Sequence, residues 1–162
     1  RARTWRSGGR SADVTDRVVA FDTNTTRIVR AVDSPWVCVN LDSGNFIAED
    51  VYAEIEAAAK AEGQWVLVDY YADWCVSCKV MEKQVFGKDK VMQALTDVHL
   101  LRLDVTDDNA ASRELLSRYK VPGPPSFVWI GTDGEERRSQ RITGEVDADT
   151  FLQRWTSTRD AN

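Results

Sequence analysis

The residues with the most chemistry to offer lie in one run, Trp74-Cys75-Val76-Ser77-Cys78-Lys79. Two thiols spaced Cys-x-x-Cys, where an apolar strand turns into a helix, suit thiol–disulfide exchange. The turn exposes the first sulfur, and the helix N-terminus aims partial positive charge at it. That charge favours the thiolate, the species that attacks a disulfide. Cys78 falls one turn deeper, within reach of the mixed disulfide that Cys75 would form. Two other uses of such a pair stay open. A structural zinc usually takes four ligands, and only Cys38 and the lone His99 stand ready to complete a set. His99 opens an expected strand, where a packed or surface histidine is the plainer reading. Two inert thiols are the other alternative. With three cysteines in the chain, the count suggests one redox pair and one spare thiol, Cys38.

Two acids share the neighbourhood. Asp69 sits in the run Trp65-Val66-Leu67-Val68-Asp69-Tyr70-Tyr71. A carboxylate buried there without a partner is costly, so its presence asks for a reason; the alternative is an acid facing the surface at the strand's end. Glu82 follows Cys78 at i+4 and Cys75 at i+7, on the same helical face, unless it is a solvated helix glutamate.

The elements that must position these residues follow from periodicity. Val51, Ile55 and Ala58 recur at helical spacing over 48–62, and Gly63 supplies a stop. Residues 65–71 are almost all apolar, as expected of a central strand buried on both faces. A helix is expected from Cys75 to about residue 96, interrupted near Gly87, and a strand over 99–105. Asp107 or Asp108 can cap a helix that carries Leu115, Leu116 and Tyr119. Val121-Pro122-Gly123-Pro124-Pro125 is too proline-rich for regular structure. A strand over 126–130, a turn at Thr132-Asp133-Gly134 and a return strand over 139–143 lead to a last helix. It begins at Asp147, with Phe151, Leu152 and Trp155 inside. Trp65, Trp129 and Trp155 are expected in the core, and Tyr70 and Tyr71 either line the site or pack. The order αβαβαββα implies an α/β domain, its mixed sheet covered on both faces.

Residues 1–45 differ. They hold Gly8-Gly9, a polar turn at Thr23-Asn24-Thr25-Thr26 that a hairpin could close, and Trp36-Val37-Cys38-Val39 as a candidate edge strand. Arg1, Arg3, Arg6 and Arg10 lie close to Asp13 and Asp16, the pattern of a solvated terminus. The expected division is an N-terminal extension over 1–45 and a domain over 46–158. In 162 residues, with 43% hydrophobic and 29% charged side chains, the chain is ordinary globular material. A net charge of −5 argues against nucleic acid as a partner. No apolar run reaches the roughly 18–20 residues that span a bilayer. The opening Arg1 in place of Met suggests a piece of a longer protein. No metal or cofactor is called for.

The run Tyr71-Ala72-Asp73-Trp74-Cys75-Val76-Ser77-Cys78-Lys79, with Glu82-Lys83 and Phe86 after it, resembles the C-terminal periplasmic domain of the membrane reductase DsbD. The likeness continues through Leu103-Asp104-Val105-Thr106, Gly123-Pro124-Pro125-Ser126 and Thr143-Gly144, and covers roughly residues 46–156. It implies a thioredoxin fold and an electron relay. Electrons would come from a transmembrane donor domain and pass to periplasmic thiol proteins, reaching disulfide isomerases and cytochrome-maturation proteins, with the domain acting as a monomer on the periplasmic side of the inner membrane. The resemblance assigns roles as well. Asp69 would lie beneath the cysteines and exchange a proton with the buried thiol, and Glu82 would join it in tuning the nucleophile. Pro125 would be the cis-proline facing the cysteines and pairing with substrate backbone, with Pro124 an unusual second proline before it, and Trp74 would flank the reactive sulfur. With both acids ionised near Cys75, the anions are expected to outweigh the helix N-terminus and keep Cys75 mostly protonated at neutral pH.

Rival readings are a general thioredoxin, a disulfide-forming oxidase and a non-catalytic thioredoxin-fold binding module. Oxidases of the DsbA type usually place a His within the motif, where this chain has Val76-Ser77. An intact cysteine pair argues against a mere binding module.

Overall fold

A computed structural model describes residues 37–40 and 51–161. Five strands form one sheet in the order β1-β3-β2-β4-β5. They are β1 (Val37–Asn40), β2 (Trp65–Tyr71), β3 (Val98–Asp104), β4 (Ser126–Ile130) and β5 (Ile142–Thr143). β1 and β2 each run parallel to β3 between them, whereas β4 is antiparallel to β2 and β5 to β4. This is the expected mixed sheet. β1 is an edge strand drawn from the segment 1–45, and the hairpin expected around residues 23–26 lies outside the described residues.

Helices cover both faces, and the alternation of side chains along β2 divides the core in two. Val66, Val68 and Tyr70 look toward Ile55 and Ala59 of α1 (Val51–Glu62) and Leu115 of α4 (Ala110–Arg118). Trp65 and Leu67 look the other way. They meet α2 (Val76–Met81), the π-helical segment Glu82–Phe86, α3 (Asp89–Ala94) and α5 (Ala148–Asp160) through Met81, Val85, Phe86, Val91, Phe151 and Trp155. Both faces being covered explains why β2 reads as a continuous apolar run. Trp65, Trp129 and Trp155 are core residues, the last two stacked with ring centroids 4.6 Å apart.

Three local expectations need correction. The cap of α4 is neither Asp107 nor Asp108 but Asn109, whose side chain accepts the Ser112 amide at 2.9 Å. Asp108 instead takes a left-handed turn, φ +34°. The return strand is only Ile142–Thr143, because Arg138–Gln140 winds into a 3-10 turn held by Gln140 N–H to the Arg137 carbonyl. The helix expected from Cys75 onward changes pitch at Glu82 before it stops at Gly87.

Candidate active site

Cys75 is the N-cap of α2, and its extended backbone (φ −81°, ψ 100°) puts the sulfur where a capping oxygen would sit. The Cys78 amide donates to Cys75 Sγ at 3.1 Å. Unsatisfied amides of the first turn, together with the helix dipole, stabilise negative charge on that sulfur. The two sulfurs are bonded to each other, with the Cα atoms 5.3 Å apart. Both cysteines are buried and pack with Tyr70, Ala72, Leu103, Val105 and Val121. Their neighbours are not: Trp74 is 57% and Val76 75% exposed, the two large apolar side chains that stand out on the described surface. Apolar surface of this kind beside a reactive bond is where a partner chain would land.

Trp74 is held in place by the loop after β3. Its indole N–H donates to the Thr106 carbonyl at 3.0 Å, and the Asp73 amide donates to Thr106 Oγ1 at 2.8 Å. Thr106 Oγ1 in turn donates to Asp104 Oδ1 at 2.5 Å. Asp104 is the register partner of Tyr71, and the Val105 amide donates to the Tyr71 carbonyl, so the end of the β2–β3 ladder passes directly into this latch.

Asp69 and Glu82 are both buried, and a residue outside the expected set joins them. Arg102 of β3 sends Nε and Nη2 to Asp69 Oδ2 at 2.9 and 2.8 Å, and Nη1 to Glu82 Oε1 at 2.6 Å. Its guanidinium lies over the Tyr71 ring, 4.2 Å from the centroid, a favourable stacking for a desolvated cation. Burial pushes the Asp69 carboxyl up to about 6; Arg102 pulls it down, and Glu82 and Asp104 push it up further. Desolvation therefore outweighs the ion pair, as buried pairs often show. Burial also raises the Tyr71 phenol, aided by Glu82 and by its bond to Asp73 Oδ1 at 3.0 Å. Glu82 follows the cysteines on the same stretch of helix, its backbone amide donating to the Cys78 carbonyl one turn back. The expectation of two uncompensated anions thus meets a formal charge of −1, because a guanidinium stands between them.

The loop with Pro124 and Pro125 follows Val121, which belongs to the same core as both cysteines. The Pro124–Pro125 bond is cis. Pro125 is buried and Pro124 half-buried; the Gly144 amide donates to the Pro125 carbonyl at 2.9 Å, and Ser126 Oγ donates to the Gly123 carbonyl. His99 meets Glu62, Nε2 to Oε2 3.1 Å. Cys38 lies on β1 in register with Arg102. Among the described residues, no helix is long and apolar enough to cross a membrane.

A mixed sheet with a redox-ready cysteine pair at the tip of its central strand defines a class, and the chain belongs to the thioredoxin-like family, whose profile matches residues 47–131. Within that class the likeness to DsbD holds. Over 104 residues the chain is 84% identical to the thiol:disulfide interchange protein DsbD of Pseudomonas sp. (strain JR1 / K1), covering 64% of this chain and 18% of that protein. The solved C-terminal domain of Neisseria meningitidis DsbD matches in its oxidised form at 30% identity and TM-score 0.57, over 68% of this chain and 95% of that one. Its reduced form matches at 29% identity and TM-score 0.59, over 74% and 99%. The chain is thus a thioredoxin-like domain with a Cys75–Cys78 disulfide, and it spans under a fifth of the length of that relative.

Proposed function

We propose that this domain, over residues 46–158 with β1 as its edge strand, is a periplasmic disulfide reductase that relays electrons to other thiol proteins. The observation that carries this reading is the Cys75–Cys78 disulfide closed across the first turn of α2, flanked by exposed Trp74 and Val76. In the reduced domain, the Cys75 thiolate attacks one sulfur of a substrate disulfide. A Cys75–substrate bond forms, the substrate S–S bond breaks, and one substrate thiolate leaves and takes up a proton. Cys78 then loses its proton, with Asp69 as the acceptor, and attacks Cys75 Sγ. The Cys75–Cys78 bond forms, the second substrate thiolate departs, and two electrons have passed to the substrate. A reduced dithiol on a transmembrane donor domain restores the pair by the reverse steps.

Kinship with DsbD supports the donor and acceptor, and the absence of a His between the cysteines supports the reducing direction over an oxidase. Trp74 and half-buried Pro124 offer surface to the substrate, and the buried cis Pro125 shapes the loop beneath it. Insulin reduction with dithiothreitol as donor tests the reading: the chain should catalyse it and Cys75→Ser should not. No catalysis above the thiol background would overturn it.

A further inference from the structure

Arg102 is buried, and its three guanidinium nitrogens engage both Asp69 and Glu82. We propose that Arg102 is a positioning residue of the exchange reaction, fixing Asp69 against Glu82 and keeping Asp69 in its carboxylate form at neutral pH. The inference rests on the thiol-exchange reading of the cysteine pair.

The geometry argues for it from two sides. Asp69 and Arg102 are directly opposed on parallel strands, so the sheet sets their contact. Glu82 reaches Arg102 from the π-helical segment, which continues directly from the helix that carries Cys78. Among the described residues, three charged groups bear on Asp69. β3 contributes Arg102, which favours the carboxylate, and Asp104, which opposes it; the π segment contributes Glu82, also opposed. On β4 the register partner is uncharged Phe127, and on β2 itself Tyr71 keeps its phenol proton. Arg102 is thus the cation that offsets burial and two acids at once. Without it Asp69 would hold a proton at neutral pH, and a protonated acid cannot take the one that Cys78 must lose.

The test uses Arg102→Gln and Arg102→Lys in the full chain, with two readouts: the carboxyl carbon shift of Asp69 by NMR, and the pH profile of single-turnover insulin reduction. In the parent chain the rate should rise through the Asp69 titration. Arg102→Gln should move both upward by one pH unit or more, which lowers the rate about fivefold at pH 6 and about tenfold a unit or more below it. Arg102→Lys keeps a charge but loses the fork, and should fall between the two. An Asp69 titration unmoved in a folded Arg102→Gln chain overturns the proposal, as does a moved titration with an unmoved rate profile. If the Gln variant does not fold, the Lys variant decides: an upward shift supports the proposal, and none overturns it. A parent chain that reduces insulin at no pH would sink the exchange reading instead, a result the NMR titration keeps separate.

Discussion

Asp69 on β2 and Arg102 on β3 are Cα partners in a parallel ladder, and their side chains meet in a buried ion pair at 2.8 Å. The contact is therefore a property of strand register: a slip of one residue in either strand would turn its charge to the opposite face and part the pair. It also changes the electrostatics that two acids alone would give. A thiolate on Cys75 faces a cluster with one formal negative charge, so the opposition to the helix N-terminus is weaker than two bare anions would make it.

This sets the expected result when both acids are neutralised. Asp69→Asn with Glu82→Gln takes the cluster from −1 to +1 and leaves Arg102 buried without a carboxylate. The Cys75 pKa should fall by at least one unit, about 1.4 kcal/mol, read from the pH dependence of alkylation in a Cys78→Ser background. The same variant should lose about 3–5 kcal/mol of stability, the usual cost of stranding a buried charge. An unchanged or raised Cys75 pKa would show that the carboxylates do not restrain the thiol.

Stability should carry a signature of Asp69. Its carboxyl sits at about 6 in the folded chain against 3.8 for the ordinary group, so the folded state binds the proton more tightly than the unfolded one. The sign follows: stability falls as pH rises from about 4 to about 6 and levels off above, by an amount on the order of 3 kcal/mol. Urea midpoints across that range should show the decline in the parent chain and lose it in Asp69→Asn. Parallel slopes in the two proteins would be the contrary finding.

The order of attack can be read by trapping. Cys75 caps the helix beside exposed residues and Cys78 lies a turn further in, so Cys78→Ser should accumulate a mixed disulfide with a substrate protein. Cys75→Ser should accumulate none. Non-reducing gels after incubation with oxidised substrate would show the difference, and trapping by the Cys75 variant alone would reverse the assignment.

Thr106 offers a test of the Trp74 latch. Thr106→Val removes the hydroxyl that receives the Asp73 amide and binds Asp104, at nearly constant volume, and should cost about 1 kcal/mol. Reduction of a protein disulfide should slow more than reduction of a small aromatic disulfide, because only the former needs Trp74 in place. Equal effects on both substrates would confine Thr106 to a structural role.

Removing residues 1–34 leaves β1 in the sheet and should preserve both insulin reduction and a cooperative unfolding transition. Loss of that transition would place the deleted segment within the folded core.

How much of this was legible beforehand depended on the kind of signal. Residues 65–71 and 126–130 announced their strands through unbroken apolar content, and Cys75 and Cys78 announced the chemistry through spacing. The helix beyond Cys78 was readable as a helix but not as one that widens to π pitch at Glu82, since pitch depends on how Val85 and Phe86 seat in the core. Gly87 is the local clue: a Cβ there would come within 2.6 Å of the Lys83 carbonyl. Arg102 was missed although its sequence context, between Leu101 and Leu103 in an apolar strand, poses the same question as Asp69. A buried cation asks for an anion as surely as the reverse. Pairing the two required knowing that their strands are neighbours, which periodicity does not reveal. The return strand spans only two residues; ahead of it Arg137 pairs with Asp133, and Glu136 with Arg138 and Arg141.

The alternation along β2 gives the domain two independent dials. Tyr70 looks into the core that houses the sulfurs, and its neighbour Asp69 looks into the one that holds the guanidinium. Substitutions behind Tyr70 alter how tightly the cysteines are packed, while substitutions around Arg102 alter the charge they experience. A lineage could therefore retune the acidity of its thiols for a new partner without rebuilding the cavity that holds them.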